Sequence, residues 1–293
     1  MIVALGVEKG MNSLRTAALM GFLFALLTGI GLAIGGRGGL WIGLAVALVT
    51  NGIAFFYSDK IALAGARARP LAPNELPDLH ATVAELSQNA GIPMPRLYVM
   101  PGLAPNAFAT GRSPSHAALA VNEGLLRSLP RDELRGVLAH EIAHIRNRDI
   151  LTQSIAAAIG GAVSFLVQMA AWGGGRDSEG RRANPLVVIL ALFVAPITAT
   201  LVQLALSRTR EYAADHDGAL IARDANGLAK ALARIDGAAG RNPMEVPAGA
   251  APMYIVNPLG GDTLKGLLRT HPPIAERIAR LRDLERDSVA APF

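Results

Sequence analysis

The sequence predicts a mainly α-helical membrane protein with a small β-sheet, and three observations lead to that fold class. Of the 293 residues, 51% are hydrophobic and only 17% are charged, whereas an average soluble domain carries about a quarter charged residues. Four long apolar runs lie along the chain in two pairs. Between the pairs stand short β-like segments separated by Gly and Pro. We therefore expect up to four transmembrane helices around a small sheet.

The charge and the absence of cysteine narrow the partners and ligands. The net charge is +5, but the basic residues flank apolar runs instead of forming one long patch. This arrangement favours membrane lipid as a partner over nucleic acid, and we expect no nucleic-acid binding. Because the chain contains no cysteine, disulfides and thiolate ligands are excluded, and any metal must take nitrogen and oxygen ligands.

The first pair of apolar runs opens the chain. Leu14–Ile34 is almost wholly apolar, and about 20 such residues span a bilayer. Gly35–Gly39 provides a tight connection to the second run, Leu40–Tyr57, which has aromatic rings near both ends where they suit the membrane interface. Residues 1–60 are thus expected to form a two-helix transmembrane hairpin. A helical hairpin buried in a soluble core is the alternative.

The distribution of basic residues predicts how this hairpin is oriented. The connecting loop holds only Arg37. More cations lie at the outer ends of the two runs: Lys9, Arg15, Lys60, Arg67 and Arg69. The positive-inside bias therefore places the N-terminus and everything after Tyr57 in the cytoplasm.

Residues 61–150 are predicted to be a cytoplasmic catalytic part with a small sheet. An amphipathic helix is expected over Pro73–Ala90, closed by Gly91. Its apolar stripe comprises Leu76, Leu79, Val83 and Leu86. Three short strands are expected at Arg96–Met100, Asn106–Thr110 and Ala117–Val121. A further helix is expected to start near Pro130, with acidic residues in its first turn.

This next helix carries the most informative motif, His140-Glu141-Ile142-Ala143-His144. On a helix, His140 and His144 project from the same face one turn apart, so both imidazoles can bind one metal ion. Glu141 can then act as general base toward water that the metal activates. The alternative is a helix with two surface histidines and a solvated glutamate.

The second apolar pair, at 151–206, is predicted to be another helical hairpin and a probable pair of spans. The motif helix is expected to lead directly into its first run, Ile150–Trp172. A polar loop at 173–185 connects this run to Leu186–Leu206. The alternative is a hairpin packed within the protein or lying at the interface.

A third metal ligand is required, because two histidines leave a catalytic zinc site one protein ligand short. Without cysteine it must be His, Asp or Glu, and Glu211 is the candidate in the second catalytic part, 207–293. Asp215 follows one helical turn later and could accept the free N–H of a ligand histidine. For this pair alone, the alternative is a solvated helix face.

The motifs at 140–144 and 207–215 resemble those of the HtpX family of membrane zinc proteases. These are bacterial heat-shock proteases related to the CAAX prenyl proteases. Asn106–Gly111 and Thr270–Pro273 match further motifs of that family. The resemblance covers nearly the whole chain, including the four apolar runs.

The resemblance implies a zincin-like catalytic domain with one zinc ion per chain, bound by His140, His144 and Glu211, and with Glu141 as base. Reasoning from the residues reaches the same assignment. The resemblance also implies a multi-pass protein of the bacterial inner membrane with its site on the cytoplasmic side. Misfolded or unassembled membrane proteins are the expected substrates.

Several other residues have a functional and a structural interpretation. Asn106, Ala107 and Phe108 are expected to lie on a sheet edge that binds substrate as an added strand, or else in an ordinary strand. His271 could begin the last helix, donate to the developing oxyanion or pair with Asp215. The remaining histidines are interpreted as surface or structural: His80, His116 and His216.

Two other functions remain open at the level of sequence. A CAAX-type prenyl-protein protease would use the same metal chemistry on a lipidated substrate. A catalytically idle membrane scaffold or chaperone would keep the fold without turning over protein.

Overall fold

The computed structural model of the chain describes residues 2–155, 208–239 and 272–290. The prediction for the apolar pair at 151–206, beyond its first five residues, lies outside the described residues. So do the predictions for His271 and for most of the loop at 237–262.

The N-terminal helical segment, α1 (Ile2–Gly65), folds back on itself. Gly36 has a left-handed φ of 54°, inside the predicted glycine-rich connection. A Cβ built on Gly43 would lie 3.2 Å from the Cα of Gly31, although residues twelve apart in a straight helix are separated by about 18 Å. The two arms of α1 are therefore antiparallel, and glycine is needed where their backbones touch.

One stretch of the described residues, Gly36–Gly65, is long and apolar enough to cross a bilayer, judged by length and composition. Thr16–Gly29 is apolar but shorter. Five large apolar side chains of the longer stretch are more than half exposed: Trp41, Ile42, Leu48, Val49 and Phe56. A core helix of a soluble protein would bury such side chains. Their exposure favours a lipid-facing hairpin over a buried one.

The second arm of α1 continues past Tyr57 and docks on the sheet. Leu63 is buried in a small apolar cluster with residues of three strands: Met100, Phe108, Ala118 and Ala120. On the same arm, the Asp59 carboxylate accepts a hydrogen bond of 2.8 Å from Nη2 of Arg96. The hairpin is thus joined to the sheet by apolar packing and by an ion pair.

The sheet has four strands in the order β1-β2-β4-β3. They are β1 (Arg69–Pro70), β2 (Arg96–Met100), β3 (Ala107–Thr110) and β4 (Ala118–Asn122). Strands β2 and β4 are parallel, whereas β1 and β3 pair antiparallel with their neighbours. The three predicted strands are confirmed to within one residue, and β1 was not predicted. Strand β3 forms an edge of the sheet.

Six further helices lie in the described part of the chain, besides a 3₁₀ turn at Pro114–His116 and a helical segment that begins at 149. They are α2 (Pro77–Ala90), α3 (Glu123–Ser128), α4 (Arg131–Arg146), α5 (Arg208–Ala222), α6 (Asn226–Ala239) and α7 (Ile274–Ala290). Helix α4 is the centre of the main core and packs against α2, α5, α6 and strand β3. Its residues from Val137 to Ile145 are all buried, so the motif helix lies inside the protein.

Helix α2 begins at Pro77, four residues later than predicted. Leu76 precedes it with a left-handed φ of 49° and is exposed. Because a residue before proline is disfavoured in the helical region, the helix cannot include Leu76, and placing this residue on the apolar stripe was wrong. The other three stripe residues are buried, and Gly91 ends the helix in the left-handed conformation, as predicted.

The motif helix does not lead directly into the third apolar run, contrary to expectation. Helix α4 ends at Arg146, a turn follows at Asn147 and Arg148, and helical structure resumes at 149. Arg148 has a left-handed φ of 60°. This break turns the chain so that Asp149 faces back toward His144.

Gly136 sets how closely α4 and α6 can pack. A Cβ at this position would lie 2.5 Å from the backbone nitrogen of Leu228, which cannot move aside alone. We expect Gly136→Ala to lower the free energy of unfolding by about 1–3 kcal/mol, measured by denaturant unfolding in detergent. Gly237→Ala in α6 is the control, since nothing lies within 4 Å of its Cβ. Equal stabilities for the two variants would contradict this account of the packing.

Candidate metal centre

Helices α4 and α5 bring three potential metal ligands together. His140, His144 and Glu211 each offer one ligand atom, and these atoms lie within 4.8 Å of one another. All three side chains are almost completely buried. Within the described ranges they form the one group of His, Asp or Glu residues whose geometry could hold a metal ion.

The distances between the ligand atoms fit a small divalent cation. The two Nε2 atoms of His140 and His144 are 3.2 Å apart. Glu211 places Oε2 at 3.8 Å from Nε2 of His140 and Oε1 at 3.6 Å from Nε2 of His144. Ligand atoms on a tetrahedral ion with bonds near 2.0–2.1 Å are about 3.3 Å apart. The three donors therefore need only small shifts to bind one ion.

Close contact between the two helices makes this arrangement possible. Gly218 of α5 faces His140, and a Cβ at Gly218 would lie 3.0 Å from the Cα and nitrogen of His140. Any larger residue would push α5 away from α4. Because Glu211 and Asp215 precede Gly218 on the same helix, this contact brings both carboxylates within reach of the histidines.

Asp215 lies behind the first histidine, where sequence reasoning expected a carboxylate. Its Oδ1 is 3.0 Å from Nδ1 of His140. The guanidinium of Arg277 donates two hydrogen bonds to the same carboxylate, of 2.8 and 2.6 Å. Burial raises the pKa of Asp215, but the charge and hydrogen bonds of Arg277 outweigh it and lower that pKa to about 2. Asp215 is thus held as a carboxylate.

Asp149 has the same relation to the second histidine, and sequence reasoning missed it. Its Oδ2 is 3.0 Å from Nδ1 of His144. Burial lowers the pKa of His144, yet the hydrogen bond to Asp149 and nearby carboxylates raise it to about 9. Each imidazole thus has its own carboxylate on Nδ1, which directs Nε2 toward the metal position. The signal in the sequence was an aspartate five residues after His144.

Glu141 connects the motif helix to the edge strand. It is buried, and its Oε2 accepts a hydrogen bond of 2.9 Å from the backbone N–H of Ala109 in β3. Burial raises the pKa of this carboxyl group to about 7. A carboxyl group that titrates near neutral pH is suited to accepting and releasing a proton.

The strand bearing Asn106, Ala107 and Phe108 lies beside this carboxylate. The carbonyl of Asn106 accepts a hydrogen bond from the N–H of Asn122. Hydrogen-bonded and non-bonded pairs alternate in an antiparallel ladder. The backbone groups of Phe108, two residues along, therefore also point toward β4. Ala107 and Ala109 therefore direct their backbone groups toward the outer edge, and Ala109 meets Glu141 there.

The three histidines interpreted as surface or structural lie outside the metal group: His80, His116 and His216. Nε2 of His80 lies 3.2 Å from the carbonyl of Ala72, and the other two histidines contact neighbouring surface residues. Arg277, which sequence reasoning also missed, lies one turn into the helix that follows the Thr270–Pro273 motif.

A helix with His-Glu-x-x-His and a glutamate from a second helix are typical of a metallopeptidase. The family model for peptidase family M48 matches residues 73–285. The chain belongs to peptidase family M48 and is a metalloendopeptidase.

Full-length relatives agree with this family assignment. The chain is 48% identical to a Protease HtpX homolog from Acaryochloris marina over 280 residues, 94% of this chain and 96% of that relative. It is 50% identical to a Protease HtpX homolog from Pyrococcus furiosus over 275 residues, 92% of this chain and 95% of that relative. The resemblance to the HtpX family is therefore confirmed.

A solved structure shares the fold. The crystal structure of S. mikatae Ste24p superposes with a TM-score of 0.52 at 20% identity, and the match covers 95% of this chain and 66% of that chain. At 20% identity the likeness shows a common fold and does not indicate a common substrate.

The pairing of Asp149 with His144 leads to a prediction on metal affinity. Asp149→Asn leaves Nδ1 of His144 without a charged acceptor, and we expect metal affinity to fall about 10- to 100-fold. Competition with a chelator measures this change. Asp217→Asn is the matched control, because Asp217 accepts a hydrogen bond from Asn147 and lies outside the metal group. Equal affinities for the two variants would refute a role for Asp149.

Proposed function

We propose that this metalloendopeptidase is a multi-pass membrane enzyme that uses one Zn²⁺ per chain, bound by His140, His144 and Glu211, with Glu141 as general base. The observation that carries the proposal is the buried group of three ligand atoms within 4.8 Å of one another. Two imidazoles and one carboxylate are the ligand set of many catalytic zinc sites, which keep a fourth position open.

The proposed chemistry is hydrolysis of a peptide bond. A bound zinc ion would supply Lewis acidity, which activates water and polarises the carbonyl group. Glu141 accepts a proton from the water as its oxygen attacks the carbonyl carbon. The same carboxyl group then delivers the proton to the nitrogen as the C–N bond breaks. Asp215 and Asp149 meanwhile hold the two imidazoles in orientation.

The outer edge of β3 is the proposed binding site for substrate. We propose that an extended peptide adds beside Asn106, Ala107 and Phe108 and pairs with the outward backbone groups of Ala107 and Ala109. The contact between Ala109 and Glu141 supports this placement, because it puts the strand edge next to the proposed base. Recognition through the main chain demands little of the substrate sequence, as protein quality control requires.

We propose misfolded or unassembled membrane proteins as substrates and the bacterial inner membrane as the location, with the site on the cytoplasmic side. Two findings support a site near the bilayer. The relatives carry the name Protease HtpX homolog, and the apolar stretch Gly36–Gly65 packs on the sheet near its last residue, through Leu63.

The shared fold with Ste24p is compatible with cleavage of prenylated CAAX proteins but does not favour it. Preferential cleavage of a farnesylated peptide over unmodified membrane-protein segments would identify that activity instead. Membership of a peptidase family argues against an idle scaffold, which would also predict that a chelator has no effect.

The role of Glu141 can be tested by Glu141→Gln, which keeps the shape of the side chain and removes its basicity. We expect cleavage of casein by the detergent-purified protein to fall about 10²- to 10⁴-fold, while one zinc per chain is retained. The wild-type enzyme should lose activity with a chelator and regain it with zinc. A Gln variant with wild-type turnover would rule out the base assignment.

The edge-strand proposal is tested by proline at two adjacent positions. Ala107→Pro removes an N–H that points outward, so we expect cleavage to fall at least about tenfold with little change in thermal stability. Phe108→Pro removes an N–H that faces β4 and should destabilise the fold. If Ala107→Pro cleaves casein normally, the substrate does not pair with this edge.

A further inference from the structure

Arg277 is a fully buried charged side chain that the proposed chemistry does not use. None of its surface is exposed to solvent, and a buried guanidinium is costly unless its charge is offset. Two of its nitrogens bind Asp215, and the third, Nη1, lies 3.7 Å from Oε2 of Glu211. The side chain therefore reaches from the C-terminal helix α7 to the metal position.

The charges around the metal position explain why a cation is needed there. Glu211 and Asp215 lie on the same face of α5, and both are buried against α4. Two buried carboxylates one helical turn apart are unfavourable without a counter-charge, and separation of α5 from α4 would let water solvate them. A metal ion would offset their negative charge. Without the ion, the guanidinium of Arg277 contacts both carboxylates and can offset it.

We propose that Arg277 is the fixed counter-charge of the metal site, which holds α5 against α4 in the metal-free protein. The inference rests on the proposed metal site and adds that this site is formed before the ion binds. Arg277 is thus a positioning residue that acts through Asp215 and Glu211. The C-terminal helix completes the site, and the ion can leave without separating α4 from α5.

Arg280, one turn further along α7, provides a matched control. Its guanidinium lies 3.8 Å from the centre of the Tyr212 ring, so it also joins α7 to α5. Its side chain is 57% exposed and has no contact with the metal group. Removing the charge of Arg280 therefore tests loss of a helix contact without loss of the buried counter-charge.

The experiment compares R277Q, R277K and R280Q in the full-length, detergent-purified protein. The thermal midpoint Tm is measured after metal removal and again with added zinc. We expect R277Q to lower the metal-free Tm on the order of 10 °C and the zinc-loaded Tm by less than half as much, since zinc replaces the missing charge. R277K should retain most of the metal-free stability. R280Q should change both values only slightly.

Two results would overturn the inference. An equal loss for R277Q with and without zinc would show an ordinary structural contact. A lysine variant as unstable as the glutamine variant would show that bidentate orientation, not charge, is what matters. If zinc fails to raise the Tm of the wild type, the proposed metal site itself is wrong, which is a separate outcome.

A further variant covers failure of R277Q to fold. D215N/R277Q removes one negative and one positive charge together, so it should recover metal-free stability relative to R277Q. A double variant that is no more stable than R277Q, or that also fails to fold, would overturn the proposed role of Arg277 as counter-charge.

Discussion

The close contact between α4 and α5 at Gly218 is the constraint on which the site depends. Glycine lets the two helix backbones meet beside His140, and this contact brings Glu211 to the two histidines. The ligands come from segments far apart in the chain, so helix packing must supply the accuracy that a metal requires. Core residues along α4 also pack against β3 and α2.

This packing buries several ionisable groups, and three pairs of them lie in contact. His140 is matched with Asp215, His144 with Asp149, and Asp215 with Arg277. Buried ion pairs contribute little net stability compared with apolar packing, so their presence here is explained by function. They hold the candidate ligands in orientation, and ligands oriented in advance lower the free-energy cost of binding an ion.

The site is also connected to the N-terminal hairpin. Leu63 at the end of α1 packs on one face of the sheet, and α4 packs on the other face. Strand β3 belongs to both contacts, because Phe108 touches the α1 cluster while Ala109 binds Glu141. A short, continuous set of contacts thus joins the hairpin to the Glu141 carboxylate, which keeps the candidate metal centre close to the end of an apolar helix.

Features that depend on near neighbours along the chain could be predicted from the amino-acid sequence. Helical spacing predicted that both histidines lie on one face. The positions of Gly and Pro predicted the bounds of three strands to within one residue. The contacts of Asp149 and Arg277 with the site could be seen only in the folded chain, which also shows that β3 is an edge and not an inner strand. These depend on the turn at Arg148 and on how helices pack. Local periodicity gives the direction of a side chain, whereas its partner is chosen by contacts between distant segments.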